Sequence, residues 1–472
     1  MSTFSECCRQ LLSESESSVY EISKESGLDR TSIQRMITGK RMPSIQFVEK
    51  FCDHLRITPI ERAELLELYR IEKIGKELYQ NRMYIKNMIE NLTTYSTIDS
   101  VLLPNYAQEL LAGKDLENND KEYFSESANK TTNLLEYIIL KELHNSDTQT
   151  ISSNLPVAYK TFFRFLEKVR TNFSPDAHIQ HLFILNKAPI KLAKPTYNLE
   201  VLYEVLSVMT SFLLQYLPRY VYSKSTPSDS YYHIYPYYVI TTHHVLCISS
   251  DYKKGILYSN QKIIKQYQEE FNRLYFSATP FTTCIASEEI FQKELHHLLF
   301  STKTPSHIAT YTPLFFSQQD KQDNFEQQKT LKDKLSSLYQ QLNNKNVNLK
   351  YYFSSEPIDS YLLNTKDKSI FKPGKHRLEL EHFFQKAKNM TGFLFKKSFL
   401  FPEVLTLLLY NTTKLQFLLS FEEPHCMFII TIDESSICKS FLDFFDSLED
   451  SESVFSYLLP PCIFTHFMLL FK

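Results

Sequence analysis

Glycine is scarce in this chain, with seven in 472 residues. None falls in a G-x-G-x-x-G or G-x-x-x-x-G-K-[ST] arrangement. Those loops let backbone N–H groups close on phosphates, so their absence excludes the common nucleotide cradles. The eight cysteines (7, 8, 52, 247, 284, 426, 438 and 462) contain no C-x-x-C pair and sit mostly in apolar runs such as VLCIS and TTCIA. They read as reduced core residues of a cytoplasmic protein, not as zinc ligands or a disulfide framework. The paired histidines do not supply a metal site either. His243-His244 lies in a strand-like segment whose neighbours point to opposite faces, and His296-His297 are adjacent on a helix, about 100° apart, without the i, i+4 spacing of H-E-x-x-H. No catalytic set, metal or cofactor is therefore expected. An apolar run of bilayer length is also missing: the C-terminal LLPPCIFTHFMLLF is short and carries two prolines and a histidine, so it reads as a buried tail and no membrane is expected. Met1 to Leu12 is polar and amphipathic, unlike a secretory leader. Charge of one sign is lacking too. The formal net charge is −2, so attraction to a polyanion must come from a local patch.

Such a patch is present near the start. The stretch SVYEISKESGLDRTSIQRMITGKRMPS, Ser18 to Ser44, reads as two short helices joined by a tight turn. Ile22 and the small Ser23 let a second helix pack closely on the first. Gly27 ends the first helix, because the turn needs a residue with positive φ. Asp29 is placed as N-cap for the next helix, from about Arg30 to Thr38, which stops at Gly39. Leu28, Ile33 and Met36 face inward. Arg30, Thr31, Ser32, Gln34 and Arg35 are left outside, followed by Lys40 and Arg41, and these are donors and acceptors suited to phosphates and base edges. From Lys24 to Arg41 five basic side chains stand against two acidic ones.

Residues 1–66 resemble the Cro/C1 family of DNA-binding domains, called XRE in bacteria. Gly39-Lys40-Arg41-Met42-Pro43-Ser44 matches the family's G-K-x-x-P-S, and an amphipathic helix follows with Ile45, Val48, Phe51, Cys52 and Leu55 at helical spacing. The resemblance implies a helix-turn-helix that binds double-stranded operator DNA through Arg30, Thr31, Ser32, Gln34, Arg35, Lys40 and Arg41, in a bacterial transcription regulator. Two positions depart from the family pattern: Val19 stands where Gln is frequent, and Ile37 where a polar residue is usual.

The length suggests about three domains. Thr58-Pro59 is a helix start, and from Ile60 to Leu92 a helical apolar stripe continues, interrupted by Gly75; this is the expected connection that transmits a change to the head. Beyond residue 116 helix patterns (133–143, 156–169, 199–217) alternate with short strands (179–185, 219–222, 237–241, 245–249, 256–258), which implies mixed α/β structure. The expected fold is thus multidomain α+β. A helix-turn-helix domain occupies 1–66, a connecting helix and linker 67–115, one α/β regulatory half 116–316, a polar helix or linker 317–348, and a second α/β half 349–472.

The stretch 256–274 lies on 430–448 with a constant offset, pairing Ile256 with Ile430, Ile263 with Ile437, Tyr267 with Phe441, Phe271 with Phe445 and Leu274 with Leu448. A duplicated strand-strand-helix core is one reading; the other is that any amphipathic helix after a strand aligns this well. A strand, a gap and a helix ending in a large aromatic resemble the phospholipase D-like folds that some regulators carry as sensors. Active members carry H-x-K followed by Asp, and this chain has no H-x-K, so that resemblance implies a fold without hydrolase chemistry. The aromatic run at 231–238 offers a ligand wall of Tyr231, His233, Tyr235 and Tyr237 on one strand face, or else covers the core. Asp251, Asp433 and Glu434 sit in turns and read as helix caps. The whole points to a cytoplasmic regulator whose C-terminal region senses a small-molecule or peptide effector or assembles a homodimer. The alternatives are an interaction adaptor with a degenerate head and an enzyme fused to a DNA-binding head.

Overall fold

The computed structural model describes residues 3–15, 17–55, 57–92, 122–143, 149–169, 173–174, 176–187, 196–212, 216–223, 234–285, 305–310, 350–354, 392–395, 401–402, 405–421, 426–449 and 454–456. Its contacts divide the chain into two compact units, Met1–Met83 and Tyr84–Lys472.

The first unit is helical. In order come α1 (Thr3–Glu14), α2 (Val19–Ser26), α3 (Arg30–Ile37), α4 (Ile45–Leu55), α5 (Pro59–Ile74) and the start of α6 (Lys76–Asn91). Capping boxes open α2 and α5: Ser18 accepts from the Glu21 N–H while Glu21 accepts from the Ser18 N–H, and Thr58 and Glu61 repeat the exchange. Each stripe of apolar residues turns inward, so Phe4, Cys8, Ile22, Leu28, Ile33, Met36, Val48, Phe51, Leu55, Leu65 and Tyr69 form one core. Phe4 meets the Tyr69 ring edge-on at 5.5 Å, tying α1 to α5. The stripe from Ile60 to Leu92 is two helices, not one. Gly75 takes φ 95°, open only to glycine, and breaks it between α5 and α6.

Among the described residues, the second unit is built on two eight-stranded sheets. The first contains β1 (Tyr123–Ser125), β2 (Thr150–Ser153), β3 (His178–Asn186), β4 (Tyr216–Ser223), β5 (Tyr237–Ile240), β6 (Val245–Ile248), β7 (Gly255–Tyr258) and β8 (Thr279–Pro280), in the spatial order β1-β7-β6-β5-β2-β3-β4-β8. The second contains β9 (Thr283–Ile285), β10 (His307–Thr310), β11 (Lys350–Ser354), β12 (Gly392–Phe395), β13 (Leu405–Tyr410), β14 (Lys414–Phe421), β15 (Cys426–Ile432) and β16 (Val454–Ser456), in the order β9-β15-β14-β13-β10-β11-β12-β16. The two orders correspond strand for strand, and so do the senses. In each, three central strands run parallel, and an antiparallel meander flanks them on one side. A short antiparallel strand closes each edge. Parallel strands need crossovers. In the first half these are α8 (Lys160–Val169) between β2 and β3, and α9 (Tyr197–Phe212) between β3 and β4, with α7 (Ala128–Leu143) preceding β2.

The repeated helix closes the correspondence. α10 (Gln261–Ser277) follows β7 as α11 (Ser435–Glu449) follows β15, and Phe271 and Phe445 are both buried at 1% exposure. The shared strand order and senses favour the duplication over chance alignment of one helix. β8 and β9 are nearly continuous in sequence, so the chain steps from the edge of one sheet to the edge of the other. Phe281, between them, donates its N–H to the Pro218 carbonyl at 3.0 Å and packs on Phe183 and Tyr220. The helix read over 199–217 is shorter: α9 ends at Phe212, and Leu217 belongs to β4. The polar stretch 317–348, His296-His297 and the C-terminal run lie outside the described residues.

Candidate nucleic-acid interface

Both ends of α3 are fixed by local chemistry. At its start the Asp29 carboxylate accepts from the Ser32 N–H at 2.7 Å. The Ser32 hydroxyl, then its N–H, hold Asp29 below the usual carboxylate range. At its end Gly39 takes φ 68°, its N–H reaches the Met36 carbonyl at 3.0 Å, and the Lys40 N–H reaches that of Arg35 at 2.8 Å. This is the left-handed Schellman stop, and it turns the basic loop sharply off the helix axis. Gly27, at φ 68°, makes the turn between α2 and α3.

Of the seven residues read as DNA contacts, Arg30, Thr31, Gln34, Arg35, Lys40 and Arg41 are exposed along α3 and the loop after it. Ser32 is half-buried, and its N–H and hydroxyl are engaged by Asp29. Ile33, Met36 and Ile37 turn into the core, and Val19 packs against it. The two departures from the family pattern are thus packing residues.

Two side chains that the sequence did not single out also reach this segment. Arg9 on α1 donates from Nη2 to the Ile37 carbonyl at 3.1 Å. The Tyr69 hydroxyl on α5 donates to the Pro43 carbonyl at 2.8 Å. Their acceptors are backbone carbonyls on distant segments, and no sequence pattern marks a carbonyl.

The aromatic wall is not assembled as expected. Tyr231 and His233 lie outside the described residues. Tyr235 precedes β5 and packs with Tyr238 and Phe271 toward α10, whereas Tyr237 joins the opposite core and stacks on Tyr252 at 5.5 Å. Tyr235 and Tyr237 therefore do not share a face, because strand pairing begins only at Tyr237. His243 is exposed and His244 buried in the turn between β5 and β6; burial, then Lys141 and His243 nearby, push His244 down to about 4. Glu434 caps α11, accepting from the Ile437 N–H at 2.8 Å, and takes the Tyr222 hydroxyl from β4 at 2.6 Å. Asp251 braces its turn through Ser249 and the Lys253 N–H. Among the described residues no group of three or more His, Cys, Asp or Glu is placed to hold a metal, and no helix is long and apolar enough to cross a membrane.

No curated protein matches the chain. Among solved structures it is similar to TrmBL2, described as an archaeal chromatin protein with a novel mode of DNA binding, at 10% identity over 56% of this chain and 88% of that one, with a TM-score of 0.23. It is also similar to phosphatidylserine synthase from Haemophilus influenzae Rd KW20, at 8% identity over 75% of this chain and 92% of that one, with a TM-score of 0.24. Scores this low assign no fold. The family model described as helix-turn-helix matches residues 16–61, the same stretch in which α2, the Gly27 turn and α3 were found. Residues 16–61 are a helix-turn-helix domain of the Cro/C1 type.

Proposed function

We propose that this chain is a bacterial transcription regulator whose first unit binds duplex DNA and whose second unit regulates that binding without catalysing a reaction. The observation that carries the reading is the surface of α3: Arg30, Thr31, Gln34 and Arg35 are exposed there, and Lys40 and Arg41 follow on a sharply turned loop. With α3 in the major groove, Gln34 and Arg35 reach base edges, while Arg30, Lys40 and Arg41 neutralise phosphates. One recognition helix reads only a few base pairs, which gives a motive for a homodimer that sets two heads about 34 Å apart on successive major grooves. The duplicated α/β unit is the place for dimerisation or an effector, small molecule or peptide, coupled to DNA through differential affinity for two states. A cytoplasmic location goes with this role. Val19 and Ile37, the departures that would mark a degenerate head and favour an adaptor, are both used in core packing.

The test is selection of bound fragments from a random-sequence pool by the purified full chain. A two-fold symmetric enriched sequence, lost in Gln34→Ala and Arg35→Ala, supports operator recognition by a dimer. Recovery no different from that of an unrelated acidic protein removes the DNA-binding reading.

A further inference from the structure

The last four carbonyls of a helix have no partner within it. In α3 these belong to Gln34, Arg35, Met36 and Ile37, and each finds a donor. Gln34 takes the Thr38 N–H and hydroxyl, Arg35 takes the Lys40 and Arg41 N–H groups, and Met36 takes that of Gly39. Ile37 takes the Arg9 guanidinium from another helix. A cation at that end also complements the helix dipole. Six residues further on, Pro43 is held by the Tyr69 hydroxyl. The segment carrying Lys40 and Arg41 is therefore fastened at both ends, from α1 and from α5, and those two helices are joined by the Phe4–Tyr69 ring contact.

We propose that Arg9 and Tyr69 are positioning residues for the basic loop, holding Lys40 and Arg41 in register with the exposed side chains of α3. The proposal rests on the DNA-binding reading above. Its physical basis is preorganisation: a loop already ordered in the free protein loses less conformational freedom when its charges meet phosphates. Tyr69 is the cleaner of the two, because at 2% exposure it cannot itself touch a nucleic acid. Arg9 is exposed and must be separated from a direct phosphate contact.

The experiment is fluorescence anisotropy of a labelled mixed-sequence duplex with the full chain, alongside thermal unfolding of each variant. Tyr69→Phe keeps the ring and removes only the hydroxyl. It is expected to weaken binding about three- to ten-fold, the range of one lost hydrogen bond. In a Lys40→Ala/Arg41→Ala background the same substitution is expected to change affinity less than about two-fold, because the loop then has no charge to position. A structural effect on the head would instead appear equally in both backgrounds, and that result overturns the proposal. Wild-type affinity for Tyr69→Phe overturns it as well. Arg9→Ala, at an exposed position tolerant of substitution, gives a second line: an unchanged salt slope supports positioning, whereas a slope shallower by about one shows a phosphate contact and removes Arg9 from the proposal. If the wild-type chain binds no duplex, the DNA-binding reading itself has failed. If it binds and Arg35→Ala weakens it while Tyr69→Phe does not, only the positioning role has failed.

Discussion

Acid should weaken the second unit through His181, which has no exposed surface in the middle of β3. Its Nε2–H donates to the Leu155 carbonyl at 2.7 Å, and its Nδ1 lies 2.8 Å from the Tyr216 hydroxyl, which donates to it when the ring is neutral. The Phe183 ring stacks on the imidazole at 4.0 Å between centroids, and Phe163 lies near both, 5.5 Å from His181 and 6.4 Å from Phe183. Burial pushes its pKa down from 6.5 to about 3, only partly offset by the Leu155 carbonyl. The folded value lies below the unfolded one, so stability is whole above pH 6.5 and is lost as the pH falls toward 3, while the unfolded chain takes up a proton that the folded one refuses. At pH 5 the loss from this one site is about 2 kcal/mol. Urea unfolding followed by circular dichroism at pH 7 and pH 5 measures it. His181→Gln keeps a donor for Leu155 and removes the titration. It should be less stable at pH 7 but lose about 2 kcal/mol less than the wild type on acidification. An equal pH dependence in both proteins would refute the assignment of a buried, neutral His181.

Three further outcomes are expected. Gly39→Val places a β-branched residue at φ 68°, so thermal unfolding should show the head destabilised by about 1 to 2 kcal/mol, with DNA affinity reduced in parallel. Phe271→Ala and Phe445→Ala empty corresponding sites in the two halves, and each should cost about 3 to 5 kcal/mol in urea unfolding. Asp29 has a folded pKa below its ordinary value, so its stabilisation of the head is present above about pH 4 and lost as the pH falls through the lowered range. Asp29→Asn should flatten that acid limb in a pH series of melting temperatures.

The head was legible because its determinants are local. Gly27, Asp29, Gly39 and the Thr58-Pro59 start act on their immediate neighbours, and the structure has them as turn, caps and helix start. The sheets were less so. β2 is Thr-Ile-Ser-Ser, too short and polar to be among the expected strands, yet Ser152 and Ser153 are buried because β3 and β5 pair on either side. β10, His-Ile-Ala-Thr led by the buried His307, is likewise only four residues long and is not among the expected strands. The end of α9 was overrun because the apolar side chains after Phe212 continue into the buried start of β4, and periodicity cannot separate a buried helix from a buried strand. At the interface, the exposed residues of α3 followed from helical spacing. Arg9 and Tyr69 did not, since each meets a carbonyl 28 or 26 residues away.

If α3 and its basic loop meet phosphates, binding to duplex DNA must weaken steeply with salt. Arg30, Lys40 and Arg41, each releasing counterions from a phosphate, predict a log–log slope of about −3 per head, at roughly −0.9 per contact. Replacing Arg41 by Ala should make it shallower by about one. Binding that ignores salt, or a slope unchanged when Arg30, Lys40 and Arg41 are all replaced by Ala, would contradict the assignment of this surface to DNA.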